Sequence, residues 1–173
     1  MTIGPLSADD IRRLFTELAA ELSREGSRAE LFLVGGAAIA LCFDERRATH
    51  DLDAVFAPTD AVRRAAAAVA DREGLEPDWL NDAVKGFLPG DDPRALRYFE
   101  APGLSVDVAS PEYLLAMKLF SSRAEVDAED IALLYRHLGY TTVEQAYPGR
   151  PLPAKIRFLL EEVVDALGDA GRT

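Results

Sequence analysis

A chain of 173 residues, 49% hydrophobic and 28% charged, is long enough to bury one sizeable core and has the balance of an ordinary globular domain. Its formal net charge of −11 argues against a sequence-blind nucleic-acid binder, because phosphate contacts need a surface rich in Lys and Arg. No apolar run approaches the roughly 18–20 residues of a membrane span. The opening residues lack the basic and apolar parts of a signal peptide, and a lone cysteine, Cys42, permits no disulfide framework, so a cytoplasmic protein without membrane attachment is expected.

In chain order, Ser7-Ala8-Asp9-Asp10 opens a helix, with Ser7 as its cap and the acids at the positive end of the helix dipole. Ile11, Leu14, Phe15, Leu18 and Leu22 recur at helical spacing and give it one apolar face, which ends near Gly26. Residues 31–34 show no polar alternation and predict a strand buried on both faces. Gly35-Gly36 then turns the chain into a short, Ala-rich interior helix over 37–43, in which Cys42 reads as a small buried packing residue. Residues 51–56 form a second strand; Pro58-Thr59-Asp60 stops it and starts a helix over 61–74. A short strand fits near 77–80, and the Gly-, Pro- and Asp-rich residues 81–93 read as an irregular loop. Residues 96–99 and 104–108, joined by Ala101-Pro102-Gly103, predict a hairpin. Ser110-Pro111-Glu112 starts a helix running to about Ser122, and a second runs from about Asp127 to Gly139. A short helix follows Thr141 or Thr142, and an amphipathic one covers 153–167. This order predicts an α/β (α+β) core over residues 1–109 and a helical C-terminal segment over 110–173, packed on the core as one compact unit.

The chemistry concentrates between residues 31 and 56. A strand that stops at two glycines and becomes a helix aims unpaired backbone N–H groups beyond the turn, which suits phosphate. Asp51 and Asp53 share one face of the next strand, and two carboxylates side by side need a cation or a shared proton. Asp107 faces opposite to its neighbours Val106 and Val108. If its strand pairs beside residues 51–56, three carboxylates converge, a donor set of hard oxygens for Mg²⁺ or Mn²⁺. Anion cradle plus carboxylates describes a site for a metal-bound polyphosphate.

Gly35-Gly36, a short helix, and then Arg47-x-Thr49-x-Asp51-Leu52-Asp53 resemble the signature of the nucleotidyltransferase superfamily built on the DNA polymerase β-like fold. In that superfamily a later strand supplies the third carboxylate, here Asp107. Met117-Lys118-Leu119, Arg123, Asp127 and Asp130-Ile131 are similar to the Lys helix and Asp-rich helix of its bacterial AbiEii/MenT-like branch and uncharacterised relatives, as are Trp79-Leu80-Asn81-Asp82 and Leu152-Pro153. One departure is Gly36, which stands where many members carry Ser.

The resemblance implies a mixed sheet flanked by helices and a transferase that moves a nucleoside monophosphate from an NTP to a hydroxyl. Asp51, Asp53 and Asp107 would be its metal ligands and Gly35 and Gly36 its phosphate turn. The acceptor it implies is an RNA such as a tRNA 3′ end, or a protein; the setting is a toxin–antitoxin or phage-defence pair with a cognate antitoxin. Several side chains keep two readings. Lys118 is a phosphate-reaching cation or a snorkelling surface lysine. Arg47 neutralises phosphate or braces the acidic strand. Thr49 bonds the ligand or caps the strand start. Asp127 and Asp130 position Lys118 or Arg123, or form an ordinary helical salt bridge. Asn81 and Asp82 line the pocket or cap a helix. His50, on the opposite face from the two aspartates, reads as structural, and His137, late in its helix, as a partner of the C-terminal dipole. The rival class is a non-catalytic, antitoxin-like or regulatory module that keeps the fold and works by protein contact.

Overall fold

A computed structural model describes residues 4–121, 123, 126–149 and 151–171. The chain divides into two units, Met1–Leu88 with Asp92–Ala109, and Pro89–Asp91 with Ser110–Thr173.

The first unit is built on a five-stranded mixed sheet. Its elements are α1 (Ala8–Arg24), β1 (Ala29–Val34), α2 (Gly35–Cys42), β2 (Leu52–Ala57), α3 (Thr59–Glu73), β3 (Leu80–Asn81), β4 (Leu96–Ala101) and β5 (Leu104–Val108). A single 3₁₀ turn, Ala83–Gly86, interrupts the loop after β3. Ser7 caps α1 reciprocally: its Oγ accepts from Asp10 N at 3.2 Å, and Asp10 Oδ2 accepts from Ser7 N at 2.9 Å. Those bonds from Ser7 hold the Asp10 carboxyl below its ordinary pKa. Ile11, Leu14, Phe15, Leu18 and Leu22 are all fully buried, as their spacing predicts.

The strand order is β3-β2-β1-β5-β4, with β1 antiparallel to β2 and parallel to β5. The third carboxylate strand therefore does not lie directly beside β2; β1 stands between them. As the most apolar strand, β1 takes the centre with partners on both sides, and the long excursion through α2, β2 and α3 supplies the crossover that a parallel pair requires. The expectation that this strand is buried on both faces is also corrected. Leu31 and Leu33 are buried on one face and Val34 on the other, but Phe32, on the face of Val34, is only half-buried and Glu30 before it is exposed. The helical layer pairs α1 with α3, and Phe15 of α1 meets Phe99 of β4 with ring centroids 5.7 Å apart. Trp79 is buried before β3 and donates from Nε1 to the Ala66 carbonyl of α3 at 3.0 Å.

Pro102-Gly103 closes the β4–β5 hairpin, with Gly103 at φ +89°. A Cβ there would also sit 2.7 Å from Ser23 Oγ and 2.8 Å from the Ala19 carbonyl, so the turn abuts α1 directly. Cys42 proves exposed at the last turn of α2, not packed in the interior: the helix buries residues 37–41 and its final residue reaches solvent. Nearby protein mass still raises the Cys42 thiol pKa, against the pull of the Arg12 guanidinium.

The second unit is helical: α4 (Pro111–Phe120), α5 (Ala128–Leu138) and α6 (Ala154–Ala170), with a 3₁₀ turn at Val143–Ala146. Ser110 caps α4, accepting from Tyr113 N at 3.3 Å. The described part of α4 ends at Phe120; Ser122, its expected end, lies outside the described residues. Gly139 ends α5 in the left-handed conformation. Helix α6 packs along α5, burying Leu160 and Val163. Among the described residues no helix is long and apolar enough to cross a membrane.

Candidate active site

The junction of β1, α2 and β2 gathers most of the residues singled out by the sequence. Gly35, the first residue of α2, has φ +67°, and a Cβ built there would lie 3.0 Å from Asp53 Oδ2. Glycine is demanded twice, by the left-handed backbone and by the carboxylate pressed against it. Gly36 is crowded from another side: a Cβ would sit 3.2 Å from Thr49 Oγ1 and 3.6 Å from Thr49 Cβ. Thr49 is itself pinned. Its backbone forms a bridge with Leu6, and its Oγ1 donates to the Asp51 carbonyl at 3.0 Å. Thr49 thus shapes the entry to β2, filling space that a serine at position 36 would need.

Asp51 lies just before β2, and its Oδ2 accepts from Asn81 Nδ2 at 3.2 Å. Asn81 is in register with Asp53 on β3, and its Oδ1 accepts from Ala83 N at 3.2 Å. The side chain that steadies Asp51 is therefore held at both ends. Asp82 is turned elsewhere, accepting from Arg63 Nη2 at 3.1 and 3.2 Å. Arg47 Nε stands 3.7 Å from Asp44 Oδ2. His50 is exposed, so it supplies no core packing.

Side chains opposite one another across a ladder share a sheet face. Asp53 is opposite Val34, while Val55 and Asp107 are both opposite Phe32. Phe32 and Val34 are two residues apart, so Asp53 and Asp107 stand on the same face, the one not covered by α1 and α3. Two strand spacings and two residue rises separate them, roughly 12 Å between backbones. Asp51 and Asp53 accordingly form one group and Asp107 a second. Among the described residues, no three His, Cys, Asp or Glu side chains are gathered into a ready metal cluster.

Asp107 has a partner that sequence reasoning missed. Arg97 of β4 donates from Nε to Asp107 Oδ1 at 2.5 Å and from Nη1 to Glu100 Oε2 at 3.1 Å. The Asp107 bond, then Glu100, raises the Arg97 pKa, so the guanidinium is permanently charged. A regular hairpin continuing from the Ala101–Leu104 pair would set Tyr98 against Asp107. A bulge between Arg97 and Phe99 shifts the register and sets Arg97 there instead. The displaced Tyr98 hydroxyl accepts from Arg12 Nε at 2.8 Å.

In the helical unit, Lys118 Nζ lies 2.8 Å from Asp127 Oδ1 and 2.9 Å from Asp130 Oδ2. Burial disfavours its charge, but the two carboxylates outweigh burial and raise its pKa. Ser121 Oγ also reaches Asp127 Oδ2 at 3.4 Å. Of the alternatives for Asp127 and Asp130, the structure selects Lys118 as their shared partner.

A family model described as a nucleotidyltransferase of unknown function (DUF6036) matches residues 9–147. No curated protein and no solved structure matches the chain.

Proposed function

The chain belongs to this nucleotidyltransferase family, and from that premise we propose that it transfers a nucleoside monophosphate from an NTP to a hydroxyl acceptor, in the manner of the AbiEii/MenT-like branch. The observation that carries the reading is the placement of the Asp53 carboxylate against the Gly35 turn at the start of α2, with Asp51 beside it and Asp107 on the same open sheet face. The acceptor oxygen attacks the α-phosphorus, the bond to the bridging oxygen breaks, and pyrophosphate leaves with that electron pair.

The donor chemistry fits a hard divalent cation such as Mg²⁺ or Mn²⁺: Asp51 and Asp53 offer carboxylate oxygens, and their paired charge is relieved by a cation. When bound, the ion neutralises charge on the triphosphate. Asp51 and Asp53 would hold it, with Asn81 keeping Asp51 turned to its task. The first N–H groups of α2, at Gly35 and Gly36, receive phosphate oxygens. Asp107 accepts the proton of the attacking hydroxyl and would offer its oxygens to a second ion. Arg47 is assigned to the phosphates, with Thr49 setting the entry to β2. The acceptor is an RNA such as a tRNA 3′ end, or a protein, and the setting is a toxin–antitoxin or phage-defence pair with a cognate antitoxin.

A second reading, a non-catalytic protein-binding module, draws on the engagement of Asp107 by Arg97. Incubation with each α-labelled NTP, Mg²⁺ and total RNA or cell protein separates the two. Label should move to an acceptor and be lost with Asp53→Asn. No transfer with any of the four nucleotides, in either acceptor pool, would favour the second reading.

A further inference from the structure

We propose that Arg97 is a positioning residue that occupies Asp107 in the nucleotide-free protein and hands it over when the metal-bound triphosphate arrives. The proposal rests on the nucleotidyltransferase reading and assigns a role to a residue outside the glycine turn and the aspartates. Three observations carry it.

First, the contact is built into the backbone. The turn register alone would place Tyr98 opposite Asp107; the bulge substitutes Arg97, and Arg12 secures the displaced Tyr98. Bulges that re-aim one side chain are fold devices, not irregularities. Second, the contact is easily exchanged. The Arg97 and Asp107 side chains are 46% and 40% exposed, and exposed ion pairs contribute little to stability. Third, Arg97 has somewhere to stay. Glu100 holds a second guanidinium nitrogen, Nη1, and Arg28 Nη2 stands 3.7 Å from Glu100 Oε1. Arg97 therefore remains at this edge of the sheet once Asp107 leaves it. A guanidinium on Asp107 lowers the local affinity for a bare divalent ion, since two cations compete for one carboxylate. A nucleotide reverses the balance, because its phosphates bring the ion and at the same time offer the guanidinium a new anion. The arrangement makes the third carboxylate conditional on nucleotide.

The test is Mn²⁺ binding followed by electron paramagnetic resonance on the full chain, with and without a non-hydrolysable NTP analogue. Without nucleotide, Arg97→Gln should bind Mn²⁺ on the order of tenfold more tightly, the scale of removing one unit charge near a divalent ion in largely aqueous surroundings. Arg97→Lys, which keeps the charge, should stay within about twofold of wild type, and Asp107→Asn in the Arg97→Gln background should erase the gain. With the analogue, Arg97→Gln should bind nucleotide more weakly than wild type. An Arg97→Gln protein with wild-type melting temperature and unchanged or weaker nucleotide-free Mn²⁺ binding overturns the proposal, while nucleotide-dependent Mn²⁺ binding by the wild type leaves the functional reading standing. Absence of Mn²⁺ binding by the wild type even with the analogue removes the functional reading and this proposal together.

Discussion

Gly35 and Gly36 look alike in the sequence and are constrained differently. At Gly35 the backbone is left-handed and Asp53 Oδ2 occupies the approach, so Gly35→Ala meets both conformational strain and a carboxylate. Chemical denaturation should show a loss of about 1–2 kcal/mol, and divalent-ion binding should weaken because Asp53 must move. At Gly36 the backbone is ordinary and the obstacle is Thr49. Gly36→Ser alone should destabilise, while the same change with Thr49→Ala should recover most of the loss. A double-mutant cycle should give a coupling of about 1 kcal/mol; additive losses would mean that Thr49 is not the obstacle. A side chain at position 36 meets Thr49 at close range, a neighbour that the sequence alone does not reveal.

At the scale of elements, two contacts tie helices and strands into their arrangement. The β4–β5 turn meets α1 at Gly103, where a Cβ would strike Ser23 Oγ and the Ala19 carbonyl and where φ is +89°. Gly103→Ala should therefore cost about 2–3 kcal/mol, more than the left-handed conformation costs by itself, as measured by urea unfolding. Lys118 ties α4 to the start of α5 through Asp127 and Asp130, its side chain only 16% exposed. Lys118→Met leaves two half-enclosed carboxylates without their cation and should destabilise the protein by about 3 kcal/mol. The sign of the pH dependence follows from the raised pKa. Stabilisation from Lys118 is complete below the unfolded-state value of about 10.4 and is lost as pH climbs through the higher folded value. The stability difference between wild type and Lys118→Met should be flat from pH 7 to about 10 and shrink above it. A difference that already shrinks between pH 7 and 9 would place the lysine's pKa below normal.

For the whole molecule, charge sets the terms of any encounter with RNA. With Lys and Arg totalling 19 against 30 Asp and Glu, the net charge of the chain opposes the approach of a polyanion. All the basic residues other than Lys85, Lys118 and Lys155 are arginines. An RNA acceptor would then be held through few phosphates, and the logarithm of its affinity should fall with log salt at a slope shallower than about −3. A slope near −8, obtained by filter binding between 50 and 200 mM salt, would reveal an extended basic track at odds with this charge balance.

Local rules carried the sequence a long way. Capping by Ser7 and Ser110, the buried stripe of α1, the Pro-Gly hairpin and the Gly139 stop are interactions within a few residues, and each was legible. The direction of Asp107 was legible too, because period-2 geometry turns it away from its buried neighbours Val106 and Val108, whereas Asp51 falls just outside β2. What only the tertiary structure decided were relations between distant segments. β1, not β2, neighbours β5, because strand order follows which surfaces bury best once the helices have packed. Phe32 is left half-open, since a continuous apolar run does not say which face the helices will cover. Thr49 closes on Gly36 through its bridge to Leu6, a residue far away in sequence. Arg97 replaces Tyr98 beside Asp107 through one extra residue in a strand, a shift that periodicity cannot announce because the residues on either side still alternate.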